Sequence, residues 1–174
     1  MAKVKQAGEG QYLTFRLSDE IYALEITKVR EVLDDIKITK VPQTPDFVKG
    51  IINLRGGVVP VVDLRLKFGM EETEQTVDTC IIIVEISIDG DISMLGALAD
   101  KVQEVVELDS SEIMAPPKIG LRLNTDFIQG MGKQNDEFII ILDIEKVFSI
   151  NELEIVRAAS GPEVSAAVQM DQNG

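Results

Sequence analysis

One pattern limits what this chain can fold into: the order of short segments in its first half returns in its second. Lys28-Val29-Arg30-Glu31-Val32 recurs as Lys101-Val102-Gln103-Glu104-Val105, and Asp46-Phe47-Val48-Lys49-Gly50 as Asp126-Phe127-Ile128-Gln129-Gly130. Val62-Asp63-Leu64 then matches Leu142-Asp143-Ile144, and Phe68 matches Phe148. A period of this kind points to two similar units rather than one unrelated core. The expected division falls near residues 71–78, with subdomains at about 18–76 and 77–148 and the terminal segments packing across.

The segments are short and alternate. Gln11 to Leu17 places Leu13, Phe15 and Leu17 on one face, as a half-buried strand does. A second strand starts at Ile21, and the spacing of Ile26, Val29, Val32 and Leu33 predicts a short helix after it. Val48–Leu54 and Val58–Val62 read as strands joined through Gly56-Gly57, with Pro60 suggesting an edge or a bulge. Leu64 to Phe68 makes a helical turn ended by Gly69. Thr79 to Ile88 and Ile92 to Leu98 flank Asp89-Gly90, a strong hairpin signal. Val102–Leu108 and Phe138–Leu142 add strands, Glu145 to Val156 is partly helical, and residues 161–174 read as a small-residue disordered tail. Many short strands with brief helices predict a mostly β protein of two small antiparallel barrels, packed on each other with a groove between them.

Composition removes most chemistries. The 30 carboxylates outnumber the 17 Lys and Arg, giving a net charge of −13 without a basic run. Phosphate backbones demand clustered cations, so nucleic acid and anionic membrane surfaces are not expected partners. Histidine is absent, which rules out His-dependent triads and a phosphohistidine on this chain. Cys80 is the single cysteine, sits in an apolar run and reads as a buried small hydrophobe. No apolar stretch reaches the ~18 residues of a membrane helix, and no signal-peptide core follows the N-terminus, so a cytoplasmic protein is expected.

Asp63 and Asp143 occupy matching places, as paired catalytic carboxylates would. Their contexts, Asp63-Leu64-Arg65 and Asp143-Ile144-Glu145, lack the small residues that let two carboxyls converge, so each is read as a helix N-cap. The acidic groups at Asp34-Asp35, Glu71-Glu72 and Asp109/Glu112 lack a calcium-loop rhythm. Leu54-Arg55-Gly56-Gly57 is a turn without a nucleotide fingerprint, and it exposes Arg55 to solvent or to an acidic partner. No active site, metal or cofactor is expected.

The run from Lys49 to Arg65, with Asn53-Leu54-Arg55-Gly56 and Val59-Pro60-Val61-Val62-Asp63-Leu64-Arg65, closely resembles the CheW family of chemotaxis coupling proteins. Gly96-Ala97-Leu98-Ala99-Asp100-Lys101-Val102 and Asn124 to Gly132 extend the likeness, which runs from about Gln11 to Leu153. The resemblance implies a single CheW-like domain over residues 1–174, built as two intertwined five-stranded SH3-like barrels. It implies a non-catalytic adaptor that couples methyl-accepting chemoreceptors to the histidine kinase CheA, recruited to membrane-bound arrays. Receptor-tip contacts would fall on Val29, Glu31, Gly50, Arg55, Gly96, Val102 and Val105, and contacts with the kinase's regulatory domain on Ile119 and Lys118. The docking domain of a CheV-like protein and a duplicated β-barrel binding a small ligand between its halves are the alternatives.

Overall fold

A computed structural model of the chain describes residues 10–34, 36–72, 74–116 and 126–159. The expected disordered tail at 161–174 lies outside these residues. Ten strands form two five-stranded sheets: β1 (Gln11–Leu17), β2 (Glu20–Glu25), β3 (Val29–Asp34), β4 (Val48–Leu54), β5 (Gly57–Asp63), β6 (Cys80–Ile88), β7 (Asp91–Ala99), β8 (Lys101–Glu107), β9 (Ile128–Gln134) and β10 (Glu137–Leu142). Their orders are β8-β1-β2-β10-β9 and β3-β6-β7-β5-β4. Matching β1 with β6, β2 with β7, and β3, β4 and β5 with β8, β9 and β10 makes the two orders identical. The duplication is therefore a property of the topology as well as of the residue pattern.

The details repeat with it. Each sheet holds one parallel pair, β5 with β7 and β10 with β2, among antiparallel ones. Each has a register shift at the matching place, Val48/Gly50 and Ile141/Leu142. Isolated bridges join Thr39 to Ile51 and Met114 to Met131. Tight turns with positive φ at both central residues connect β4 to β5 (Arg55, Gly56) and β9 to β10 (Asn135, Asp136). This twist matches that of the flanking strands and is the usual two-residue hairpin geometry.

The sheets do not divide the chain at 18–76 and 77–148. The hairpin β1–β2 leaves its own half and joins β8, β9 and β10, while β6–β7 joins β3, β4 and β5. The two halves thus exchange hairpins, and the repeat boundary near 71–78 runs through a connection inside one sheet. Alternating residues specify which face of a hairpin is buried, not which of two equivalent sheets receives it.

Three apolar clusters result. Tyr12, Ala23, Val106, Ile139 and Ile141 fill the inside of one sheet, and Ile52, Val59, Val61, Ile81 and Ile83 the inside of the other. The third and largest lies between the sheets, with Leu13, Phe15, Leu17 and Leu24 against Ile82, Val84, Ile86 and Leu95. Two ring pairs cross this interface reciprocally, Phe47 with Phe148 at 5.5 Å and Phe68 with Phe127 at 5.1 Å. Two helices among the described residues, α1 (Leu64–Lys67) and α2 (Ile150–Ala159), follow the strands, and α2 buries Val156 in the shared cluster.

Two local expectations differ from the structure. Val29–Asp34 is a strand preceded by a 3₁₀ turn at Ile26–Lys28, not a helix. Its residues alternate between half-buried and exposed, and pairing with β6 overrides a helical spacing carried by β-branched side chains. Pro60 lies on a strand flanked by both β4 and β7 rather than on an edge. The β7 ladder begins only at Val61, so the missing N–H of Pro60 costs no bond there. Ile128–Gln134, with Gly130 and Gly132, is a strand that its own composition does not announce.

Candidate functional site

The turn between β4 and β5 puts Arg55 at φ 51°, and Asn53 Oδ1 accepts from Gly56 N–H at 3.2 Å, holding the loop shut. The side chain of Arg55 is 72% exposed. Its guanidinium forms a two-point pair with Glu31 on β3, Nη1 to Oε2 at 2.6 Å and Nη2 to Oε1 at 2.9 Å. That bond, with the positive charge behind it, holds the Glu31 carboxyl below the usual range and raises the guanidinium pKa further. Arg30 adds a pair to Glu85 at 3.1 Å. β3 and β4 are the outer strands of their sheet, so Arg55 bridges its two edges. In the matching place on the other sheet, Gln134 donates to Glu104 at 3.2 Å, an amide–carboxylate bond without a cation.

The remaining residues expected at a receptor surface divide into two groups. Val29 and Val102 occupy matching strand starts, and both pack half-buried against the shared cluster. Val105 is 48% exposed on β8 opposite Leu13, on the other sheet from Arg55. Gly50 and Gly96 are buried, and the backbone explains both. A Cβ on Gly50, at φ 148°, would collide with the carbonyl of Thr39, and one on Gly96 would come within 2.8 Å of Ile81 Cγ2. Glu31 and Arg55 are thus joined directly, Val29 and Val102 share a cluster, and the two glycines act through packing. Lys118 and Ile119 lie outside the described residues.

Asp63 and Asp143 behave as caps. Asp63 Oδ1 accepts from Arg65 N–H at 2.9 Å, and Asp143 Oδ1 from Glu145 N–H at 3.3 Å. Burial pushes the Asp63 carboxyl up, against the opposing effect of that bond and of Lys49. Cys80 is buried as expected, and desolvation raises its thiol pKa. Among the described residues no cluster of potential metal ligands occurs, and no helix is long and apolar enough to cross a membrane.

Sequence reasoning misses one polar centre. Arg65, with a 6% exposed side chain, bonds Asp100 Oδ2 and Ser18 Oγ at 2.7 Å each and the Glu71 carbonyl at 2.8 Å. Asp100 Oδ2 also accepts from Ser18 N–H at 2.7 Å. This network ties the β1–β2 turn to the helical turn α1 (Leu64–Lys67) across the two sheets. Nothing in the local pattern marks Arg65 as buried, because its partners are 35 and 47 residues away.

Two cavities open among the described residues, one within a single sheet and one where residues of both halves of the repeat meet. The larger, of about 660 Å³, opens at one end of a single sheet among Leu33, Ile36, Ile38, Val77 and Ile81. The smaller, of about 240 Å³, lies beside Glu25, Lys28, Gln129 and Glu145.

Residues 11–152 match the family model of the CheW-like domain. The chain is 35% identical over 155 residues to the chemotaxis protein CheW of Klebsiella aerogenes, covering 87% of this chain and 91% of that one. It is 35% identical over 137 residues to the chemotaxis protein CheW of Helicobacter pylori, covering 79% and 80%. The crystal structure of the scaffolding protein TtCheW from Thermoanaerobacter tengcongensis superposes with a TM-score of 0.72 at 39% identity, over 82% of this chain and 94% of that one. The chain belongs to the CheW-like family.

Proposed function

We propose that this protein is a non-catalytic scaffold of bacterial chemotaxis that couples chemoreceptors to the histidine kinase CheA. The observation that carries the reading is the Arg55–Glu31 pair, a two-point ion pair held on an exposed turn beside half-buried Val29. Family membership supports it, as does the likeness to proteins named for chemotaxis and scaffolding. An apolar helix tip lying near Val29 and Val102, with one carboxylate toward Arg55 and one donor toward Glu31, would be fixed in register by those two charges. Lys118 and Ile119 are the proposed contacts with the kinase's regulatory domain. The protein would work in the cytoplasm, recruited to membrane-bound receptor arrays, with no turnover of its own.

Arg55→Glu tests this directly. It places a second carboxylate beside Glu31 on a solvent-exposed turn, so the fold should survive while the register pair is lost. Titrated separately, a receptor-tip fragment should bind at least tenfold more weakly, and the kinase regulatory domain as tightly as before. Undiminished receptor binding would remove this edge from the receptor site.

A further inference from the structure

Among the described residues, α2 has no helical counterpart after the first half of the repeat, and its seat shows what the other sheet lacks. It packs on β5 and β6, burying Val156 in the cluster that also holds Val62. Strand alternation puts Val58, Pro60 and Val62 on one face of β5, and Val58 is only 9% exposed. Ion pairs fix the helix: Glu152 with Lys67 at 2.7 Å, and Arg157 with Asp91 at 2.8 Å and Asp89 at 3.5 Å at the β6–β7 turn.

On the other sheet the matching positions are Phe138, Ile140 and Leu142 of β10. Ile140 and Leu142 turn into the shared cluster, but Phe138 stands 52% exposed. Beyond Phe68 the chain continues into Met70 and the acidic Glu71-Glu72 stretch without forming a helix. The turn that corresponds to the one holding Arg157 is β1–β2, and it too carries exposed carboxylates, Asp19 and Glu20. Arg16 binds Glu137 at 3.3 Å and donates to the Asp19 carbonyl at 3.0 Å, which places this turn beside the start of β10. Phe138 and this acidic turn thus stand where, in the sheet that holds β5, the strand and the β6–β7 turn receive α2 and its arginine.

We propose that Phe138 and the β1–β2 turn form a docking site for an amphipathic helix of a partner protein, apolar along one side with Arg or Lys near its end. Such a helix would lie on β10 as α2 lies on β5, its apolar side over Phe138 and its cation toward Asp19 and Glu20. The site belongs to the opposite sheet from the Arg55 edge and does not depend on the reading of that edge.

The probe is a lactam-bridged peptide of residues 148–159, the chain's own α2 sequence held helical, titrated into the isotope-labelled full chain. Saturable shifts of the Glu20, Phe138 and Ile140 amides are expected, with weak affinity of about 0.1–1 mM for so small a contact. Phe138→Ser should abolish them and Glu20→Lys, which leaves the core untouched, should weaken them severalfold, whereas Arg55→Glu should leave them unchanged. The proposal is overturned if no saturable shift appears, if a scrambled peptide does the same, if both variants bind undiminished, or if the shifts fall on Val58 and Val62, where the peptide would merely be displacing α2.

Discussion

The two halves of the repeat reach one strand order with different chemistry at their junctions. In the first, Arg65 is buried after β5 and grips Asp100 and Ser18. At the matching place in the second, Glu145 follows β10, accepts from Ser87 N–H at 2.7 Å and faces Lys28 at 3.9 Å, with its side chain 30% exposed. Both links cross from one sheet to the other, and their charges are inverted. The outer edges differ similarly, an Arg55–Glu31 ion pair on one sheet against an amide–carboxylate Gln134–Glu104 bond on the other. Apolar alternation preserves the duplicated backbone, while the polar links around it have diverged and carry whatever the halves do differently.

The largest test of this contrast is the pair Arg65→Met and Glu145→Gln in urea denaturation. Removing a buried cation from Asp100 and Ser18 should cost about 3 kcal/mol, reduced somewhat because Asp100 is partly exposed. Removing the charge of Glu145 should cost about 1 kcal/mol or less. Equal losses would mean that the two junctions are energetically alike despite their different burial.

Matching glycines sharpen it next. Gly50→Ala would drive a Cβ against the fixed carbonyl of Thr39 at an unfavourable φ and should cost about 2 kcal/mol or more. At Gly130 no positive φ is imposed, and a Cβ would meet Ile113 Cγ2 at 2.5 Å and the Met114 carbonyl at 3.2 Å, so Gly130→Ala should cost less than Gly50→Ala, about 1–2 kcal/mol. Thermal melts of the two variants give the comparison.

Asp63 provides a smaller, pH-dependent test. Its carboxyl pKa is raised by burial, so the folded state holds the proton more firmly than the unfolded chain. This contribution is fully present below the ordinary carboxylate pKa and is lost as pH rises through the raised folded value. Glu72 runs the opposite way: Lys49 lowers its pKa, and its contribution is lost on acidification. The stability of wild type relative to Asp63→Asn should therefore improve as pH falls from 7 toward 4, and a flat difference would remove the burial effect.

The smallest effect concerns Glu31. Arg55→Ala should return its carboxyl titration to the ordinary range in an NMR titration while leaving the melting temperature nearly unchanged, since the Arg55 side chain is largely exposed. A clear loss of stability would make the pair a closure of the sheet edges rather than a poised surface feature.

These contrasts show how far the residues speak for themselves. The strand–turn rhythm, the Asp89-Gly90 and Arg55-Gly56 turns, the capping by Asp63 and Asp143 and the burial of Cys80 are all legible locally. Each depends on alternation, backbone freedom or a neighbouring N–H a few residues away. The family signature from Lys49 to Arg65 is equally local. Val29 to Asp34 is not, because its helical spacing yields to a strand partner some fifty residues on. The same holds for Arg65, whose charge suggests the surface until distant Asp100 and Ser18 enclose it.

What the sequence determined by itself is therefore the number and character of the units: two matching sets of short β segments, their turns and their capped helical starts. What the tertiary structure decided is assignment. The hairpins β1–β2 and β6–β7 each carry apolar faces that suit either sheet, and only their pairing with β8 and β10, or with β3 and β5, settles the exchange. That choice hides Arg65 and leaves Arg55 outside, because burial depends on what arrives from elsewhere in the chain.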